Sequence, residues 1–286
     1  MTVTSHIASP PRVRLVGQFD HADFAGADAL LRAGAEIVTS PEVPPELIVV
    51  AQSRPGMIAE ETIQSLLRAA PLSGVVALLG TWCEGEPRTG RPWPGVERRY
   101  WYEFPAWWRR QLALRAAGRC PDWAQPYEVA PASRGVLASG RGGGLPGSHS
   151  IGNRAHGLVV LSAAVRETAE ALSDALQQAG YAALWQPPGR PAPFVRGALA
   201  GIWDGGQLND REEENFAAFC RGLSRDAVPV IALLDFPRRD RCERARELGA
   251  AAVLGKPWLN ADLVTTIENL TVHRANNDEL TTSRAA

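Results

Sequence analysis

Short aliphatic and β-branched runs recur along this chain, each followed by a stretch in which apolar residues return every three or four positions. The second half shows the rhythm most clearly. Leu158–Leu161 is a continuously apolar run, the pattern of a strand buried on both faces. Thr168–Gly180 then sets Ala171, Leu172, Ala175, Leu176 and Ala179 on one helical face and ends at a glycine suited to a C-cap. Strands are predicted at Tyr181–Trp185, Ala198–Trp203, Val228–Leu234 and Ala251–Leu254. Helices are predicted at Glu213–Leu223, Arg241–Leu248 and Ala261–Leu270, the last with Asn260 as N-cap. Strands alternating with helices at this spacing imply a doubly wound parallel sheet.

The first half repeats the order with little residue identity. Strands are predicted at Val13–Val16, Glu36–Val38, Leu47–Ala51, Gly74–Leu79 and Arg99–Glu103, and helices at Phe24–Ala33, Ile58–Ala69 and Ala106–Ala117. A turn-rich insertion, Gly80–Gly95, interrupts it. Glycine and proline crowd the stretch between the halves, where Arg141-Gly142-Gly143-Gly144-Leu145-Pro146-Gly147 cannot hold regular structure cheaply. The fold class is therefore α/β, with two tandem doubly wound domains of five parallel strands each. The boundaries are 11–118, a linker over 119–155, 156–272, and a tail over 273–286.

Composition narrows the function classes. The chain has 286 residues, of which 45% are hydrophobic and 21% charged, enough to pack two cores. Its net charge of −1 supplies no global attraction to nucleic acid or anionic membrane. No run approaches the roughly 20 apolar residues of a membrane span, and no secretory signal is visible, so a cytoplasmic location is expected. Cys83, Cys120, Cys220 and Cys242 form no CxxC pair, so neither a zinc site nor a disulfide framework follows. The histidines lack partners at metal or triad spacing, and GxSxG, HExxH and a P-loop are all missing. No cofactor or metal is expected.

In an open parallel sheet, ligands meet the carboxyl ends of the strands, which directs attention to Asp204 and to Lys256, the single lysine among 30 basic residues. Ala198-Leu199-Ala200-Gly201-Ile202-Trp203-Asp204, Pro229-Val230-Ile231-Ala232-Leu233-Leu234 and Glu247-Leu248-Gly249-Ala250 leading to Lys256-Pro257 carry a resemblance. Over Gly157–Leu270 the chain resembles the CheY-like receiver domain of bacterial response regulators, the phosphorelay modules of two-component systems. Residues 11–118 resemble it weakly. The resemblance implies Asp204 as phosphoacceptor and Lys256 as the cation that pairs with the phosphoryl group.

Other family positions are degenerate. Ser162-Ala163-Ala164 stands where an acidic pair would hold Mg²⁺, and Leu234 stands where a Thr or Ser would sense the phosphoryl group. A single aspartate is a poor site for a hard cation, and phosphoryl transfer leans on such a metal. The leading reading of Asp204 and Lys256 is thus an ion pair that fixes two loops, with phosphoacceptance as the alternative. Asp235 is expected to point away from the pocket, because strand residues alternate and Leu234 precedes it. Glu167 is read as a helix-start carboxylate. In the first half, Gln52-Ser53 replaces the acceptor, and Thr81, Asp20 and Asp23 have no acceptor to serve.

Six of nine tryptophans lie between Trp82 and Trp123, and Arg88–Arg119 holds eight arginines against two glutamates. Packing of the insertion is the ordinary reading. A protein interface through Trp82, Trp93, Trp101, Trp107 and Trp108 is the functional one. Single-stranded nucleic acid is the weakest, without a helix-turn-helix pattern or excess charge. The sequence thus points to a non-catalytic pseudo-receiver, a signalling or scaffold protein with a protein partner and no membrane. The competing class is an enzyme with a site between the domains that uses Asp204, Glu84 or Glu86 as acid–base groups. The partner and the oligomeric state leave no mark in the sequence.

Overall fold

The computed structural model describes residues 9–86, 90, 92–125, 156–189 and 197–284, with the side chains of the last helix described as far as 272. The chain divides into two compact units between Gly140 and Arg141. The first comprises β1 (Arg12–Gly17), α1 (Ala25–Gly34), β2 (Glu36–Ile37), β3 (Leu47–Gln52), α2 (Glu60–Ala69), β4 (Gly74–Leu79), β5 (Glu97–Tyr100) and α3 (Phe104–Ala116). The second comprises β6 (Leu158–Ala163), α4 (Arg166–Gln178), β7 (Ala182–Gln186), β8 (Ala198–Asp204), α5 (Asp210–Ser224), β9 (Val230–Asp235), α6 (Arg239–Glu247), β10 (Ala250–Lys256) and α7 (Asn260–Arg284).

Every strand pairing is parallel. The sheets run β2-β1-β3-β4-β5 and β10-β9-β8-β6-β7. Numbered within its own unit, each reads 2-1-3-4-5, the flavodoxin-like form of the doubly wound sheet. All ten strands expected from the apolar runs form. In β3 every residue is buried, which explains the unbroken Leu-Ile-Val-Val-Ala run. Ile48 and Val50 share one core with Ile63, Val75, Ala77, Leu79, Cys83, Trp93 and Val96. The intervening strand residues serve the opposite face by the period of two.

Several boundaries differ from expectation. β5 occupies Glu97–Tyr100 rather than Arg99–Glu103, because α3 begins at Phe104, where Pro105 suits the first helical turn. The last helix does not end at Leu270 but continues to Arg284, through a stretch with neither glycine nor proline to stop it. Within 119–125, grouped with the linker by composition, a 3-10 turn spans Asp122–Ala124 and its Trp123 is buried. A methyl added at Gly74 would lie 2.3 Å from the Trp123 carbonyl oxygen, so this turn packs directly on the start of β4. The remaining linker residues, 126–155, lie outside the described residues.

The crossover from β2 to β3 contains no helix and carries Pro41, Pro44 and Pro45, which disfavour one. Between β4 and β5 the described residues give a 3-10 turn at Thr81–Cys83, where the second unit has α6.

Candidate functional site

Asp204 ends β8 and Lys256 ends β10, with β9 between them in the sheet. The Lys256 Nζ donates to Asp204 Oδ1 at 3.0 Å, so the two residues singled out from sequence do meet at the carboxyl rim. Asp235, the last residue of β9, is the register partner of Lys256, and its Oδ1 lies 2.8 Å from the same ammonium. Side-chain exposure is 11% for Asp204, 22% for Lys256 and 45% for Asp235. Asp204 is thus the interior member of the trio and Asp235 the outer one.

Asp235, expected from strand alternation to point away from the pocket, instead contacts Lys256, which corrects that expectation. Strand alternation does hold here, since Leu234 is buried in the core. What it could not supply was the pairing of β9 with β10, which sets Asp235 beside a lysine whose four-carbon stem reaches it.

The loop after β8 is tied to the end of β9. Gly205 N–H donates to the Leu233 carbonyl, Asp235 N–H to the Gly206 carbonyl, and Gln207 Nε2 to the Asp235 carbonyl. Asn209 and Glu212 form a capping box at the start of α5, and the Glu212 carboxylate also accepts from Gly206 N–H at 2.8 Å. A methyl on Gly205 would fall 1.8 Å from the buried Trp203 ring, so this position admits only glycine without rearrangement.

Burial raises the Asp204 carboxyl above its ordinary range, against the pull of Lys256, and the negative charges of Asp235 and Glu212 add to the rise. Burial also opposes the charge on Lys256. Its hydrogen bonds and attraction to Asp235 and Asp204 outweigh that and hold its pKa above the usual lysine value. Lys256 is therefore a firmly charged ammonium facing two carboxylates.

At the end of β6, Ser162 and Ala163 are buried, and the Ala163 carbonyl accepts from Trp185 Nε1 at 3.0 Å. Ala163 pairs with Asp204, so this is the position at which the resemblance to receiver domains leads one to expect a metal-binding acid. Ser162-Ala163-Ala164 supplies no carboxylate there, and the donor set does not fit Mg²⁺. Among the described residues no cluster of three His, Cys, Asp or Glu could hold a metal. Glu167 lies in the first turn of α4, as expected of a helix-start acid.

The first unit presents amides and hydroxyls at the same rim. Gln52 ends β3 opposite Leu79, as Asp204 ends β8 opposite Leu233. It is buried, with its Oε1 accepting from Ile58 N–H. Asp23 Oδ2 accepts from Thr81 N–H at 3.0 Å, and Thr81 Oγ1 accepts from Trp101 Nε1 at 3.1 Å. Thr81 and Asp23 thus serve to tie loops together, while Asp20 is exposed.

The aromatic segment is mostly interior, a second correction. Trp93, Trp101, Trp107 and Trp108 are buried, so of the five tryptophans assigned to an interface only Trp82, 69% exposed, can present one. Trp108 stacks on Phe104 and Trp123, and its Nε1 donates to the Leu30 carbonyl of α1. Arginines of the segment meet carboxylates of the same unit. Arg98 pairs with Glu86 and Arg99 with Glu97, each at 2.6 Å. Arg110 pairs with Asp122 at 3.0 Å and Arg115 with Glu46 at 2.6 Å. Glu46, Glu86 and Asp122 lie outside the arginine-rich window, which is why the window alone suggests unbalanced charge. Arg54 sits over the exposed Trp82 ring, 5.7 Å from its centre.

No family model matches the chain, and no curated protein matches it. Receiver domains are among the solved structures similar to it. The signal receiver domain of a signal transduction histidine kinase from Syntrophus aciditrophicus is 24% identical, over 41% of this chain and 91% of that one, with a TM-score of 0.34. A response regulator receiver protein from Pseudoalteromonas atlantica is 17% identical over 41% and 98%, with a TM-score of 0.34. The E. coli RcsC C-terminus, containing a linker region and a phosphoreceiver domain, is 16% identical over 97% and 98%, with a TM-score of 0.35. The likeness is one of fold.

Proposed function

We propose that this protein is a cytoplasmic pseudo-receiver: a non-catalytic signalling or scaffold protein that acts through protein contacts, without Mg²⁺-dependent phosphorylation of Asp204. One observation carries the reading. The ammonium that would pair with a phosphoryl group on Asp204 is already held by two carboxylates, at 3.0 Å from Asp204 and 2.8 Å from Asp235. The end of β6 beside them supports it, with Ala163 where the resemblance would set a metal-binding acid. Glu86, a candidate acid–base group of the enzyme alternative, is taken up by Arg98. Among the described residues no helix is long and apolar enough to cross a membrane.

The test is incubation of the full chain with a small phosphodonor and Mg²⁺, followed by intact mass measurement of wild type and Asp204→Ala. The expected result is no mass gain in either. A phosphoryl group on wild type that is lost in Asp204→Ala would establish the phosphoacceptor reading instead.

A further inference from the structure

We propose that Asp235 is an internal anion that closes the rim of the second unit to an external tetrahedral oxyanion by occupying the solvent side of Lys256. This rests on the pseudo-receiver reading and adds the residue responsible for the closed site. An ammonium has three N–H donors, and two here are directed at carboxylate oxygens, one on Asp204 and one on Asp235. The two carboxylates are not equivalent. Asp204 is 11% exposed and is the interior partner, whereas Asp235 is 45% exposed and is the partner open to water. An anion that reaches Lys256 comes within a few ångströms of the Asp235 charge, a distance at which like charges repel.

Asp235 is also held in place. Its backbone is in register with Lys256, its N–H donates to the Gly206 carbonyl, and its own carbonyl accepts from Gln207 Nε2. The next residue, Phe236, adopts a left-handed backbone with φ of 41°, unusual for a bulky side chain, so the chain turns away immediately after the carboxylate is placed. These contacts fix the backbone that carries the carboxylate, and the ion pair with Lys256 is what holds the carboxylate itself over the ammonium. Glu212, held by the N–H groups of Gly206 and Asn209, adds negative charge beside the same loop but makes no contact with Lys256 that would replace Asp235.

Because Lys256 is the sole lysine, lysine labelled with 13C and 15N yields a single side-chain signal from the full-length protein. That signal is followed during titration with inorganic phosphate, without metal or phosphodonor. Wild type is expected to show no saturable shift. Asp235→Asn, with Asp235→Ser as a second variant should the first fold poorly, is expected to show a saturable shift at least about tenfold tighter than any wild-type response. Asp204→Asn removes the same charge from the interior side and is expected to stay silent, as is Asp174→Asn on the exposed face of α4. The proposal is overturned if wild type titrates like Asp235→Asn, if Asp204→Asn opens the site equally, or if both Asp235 variants are silent. Those outcomes are separate from the mass measurement above: a phosphorylated wild type sinks the pseudo-receiver reading, and silent Asp235 variants sink only the closing role of Asp235.

Discussion

Lys256 sits between a shielded carboxylate and a wetter one, and removing its charge would strand both. Lys256→Met should destabilise the second unit by about 1–3 kcal/mol, less than the ~3–5 kcal/mol of a fully buried broken pair because water reaches Asp235. Denaturant unfolding followed by the fluorescence of Trp185, Trp203 and Trp258 would measure it. Asp204 has the opposite character. Its carboxyl titrates above the unfolded value because burial disfavours its charge, so the folded state holds the proton more tightly. Its contribution to stability therefore declines as pH rises from about 3.9, the unfolded aspartate value, through the folded one. Asp204→Asn keeps an oxygen acceptor for Lys256 and should be more stable than wild type at neutral pH, with the difference shrinking towards pH 4. Lys256 works the other way. Its folded pKa is raised, so its stabilisation is complete below about 10.4, the free lysine value, and is lost as pH climbs through the folded value.

At the scale of elements, the aromatic segment separates into a core and one exposed ring. α3 is anchored by Trp107 and Trp108, both fully buried, and by the contact of Trp108 with α1. Trp108→Ala should cost about 3–5 kcal/mol in the stability of the first unit, whereas Trp82→Ala should change it by no more than about 0.5 kcal/mol. Equal losses in thermal unfolding would contradict this division of roles. The turn after β8 makes a comparable demand: Gly205→Ala drives a methyl into the Trp203 ring and should cost about 1–3 kcal/mol, read by the same unfolding measurement. The elements themselves were legible from sequence wherever the apolar period was clean. They slipped where a turn residue decided the boundary, as Pro105 does at the start of α3, and where nothing ended a helix after Leu270.

For the whole molecule, charge is arranged to cancel locally. The net value is −1, and Arg98, Arg99, Arg110 and Arg115 each face a carboxylate of their own unit. A chain so balanced should show no salt-dependent binding to single-stranded oligonucleotides at physiological ionic strength, measured by fluorescence anisotropy. Saturable binding that weakens steeply with salt would contradict it.

The order of strands and helices, the repetition of that order, and the pair Asp204 and Lys256 were all determined by the amino-acid sequence itself. Each is a local pattern or a residue at the end of a run, and backbone periodicity translates such patterns directly into structure. The third member of the site, the burial of four of the five proposed interface tryptophans, and the partners of the arginines were decided only by tertiary structure. Asp235 meets Lys256 because β9 lies beside β10 in a particular register, and Arg115 meets Glu46 across a long stretch of chain. Contacts of that kind depend on which strands become neighbours, a property of the packed sheet that no window of sequence contains.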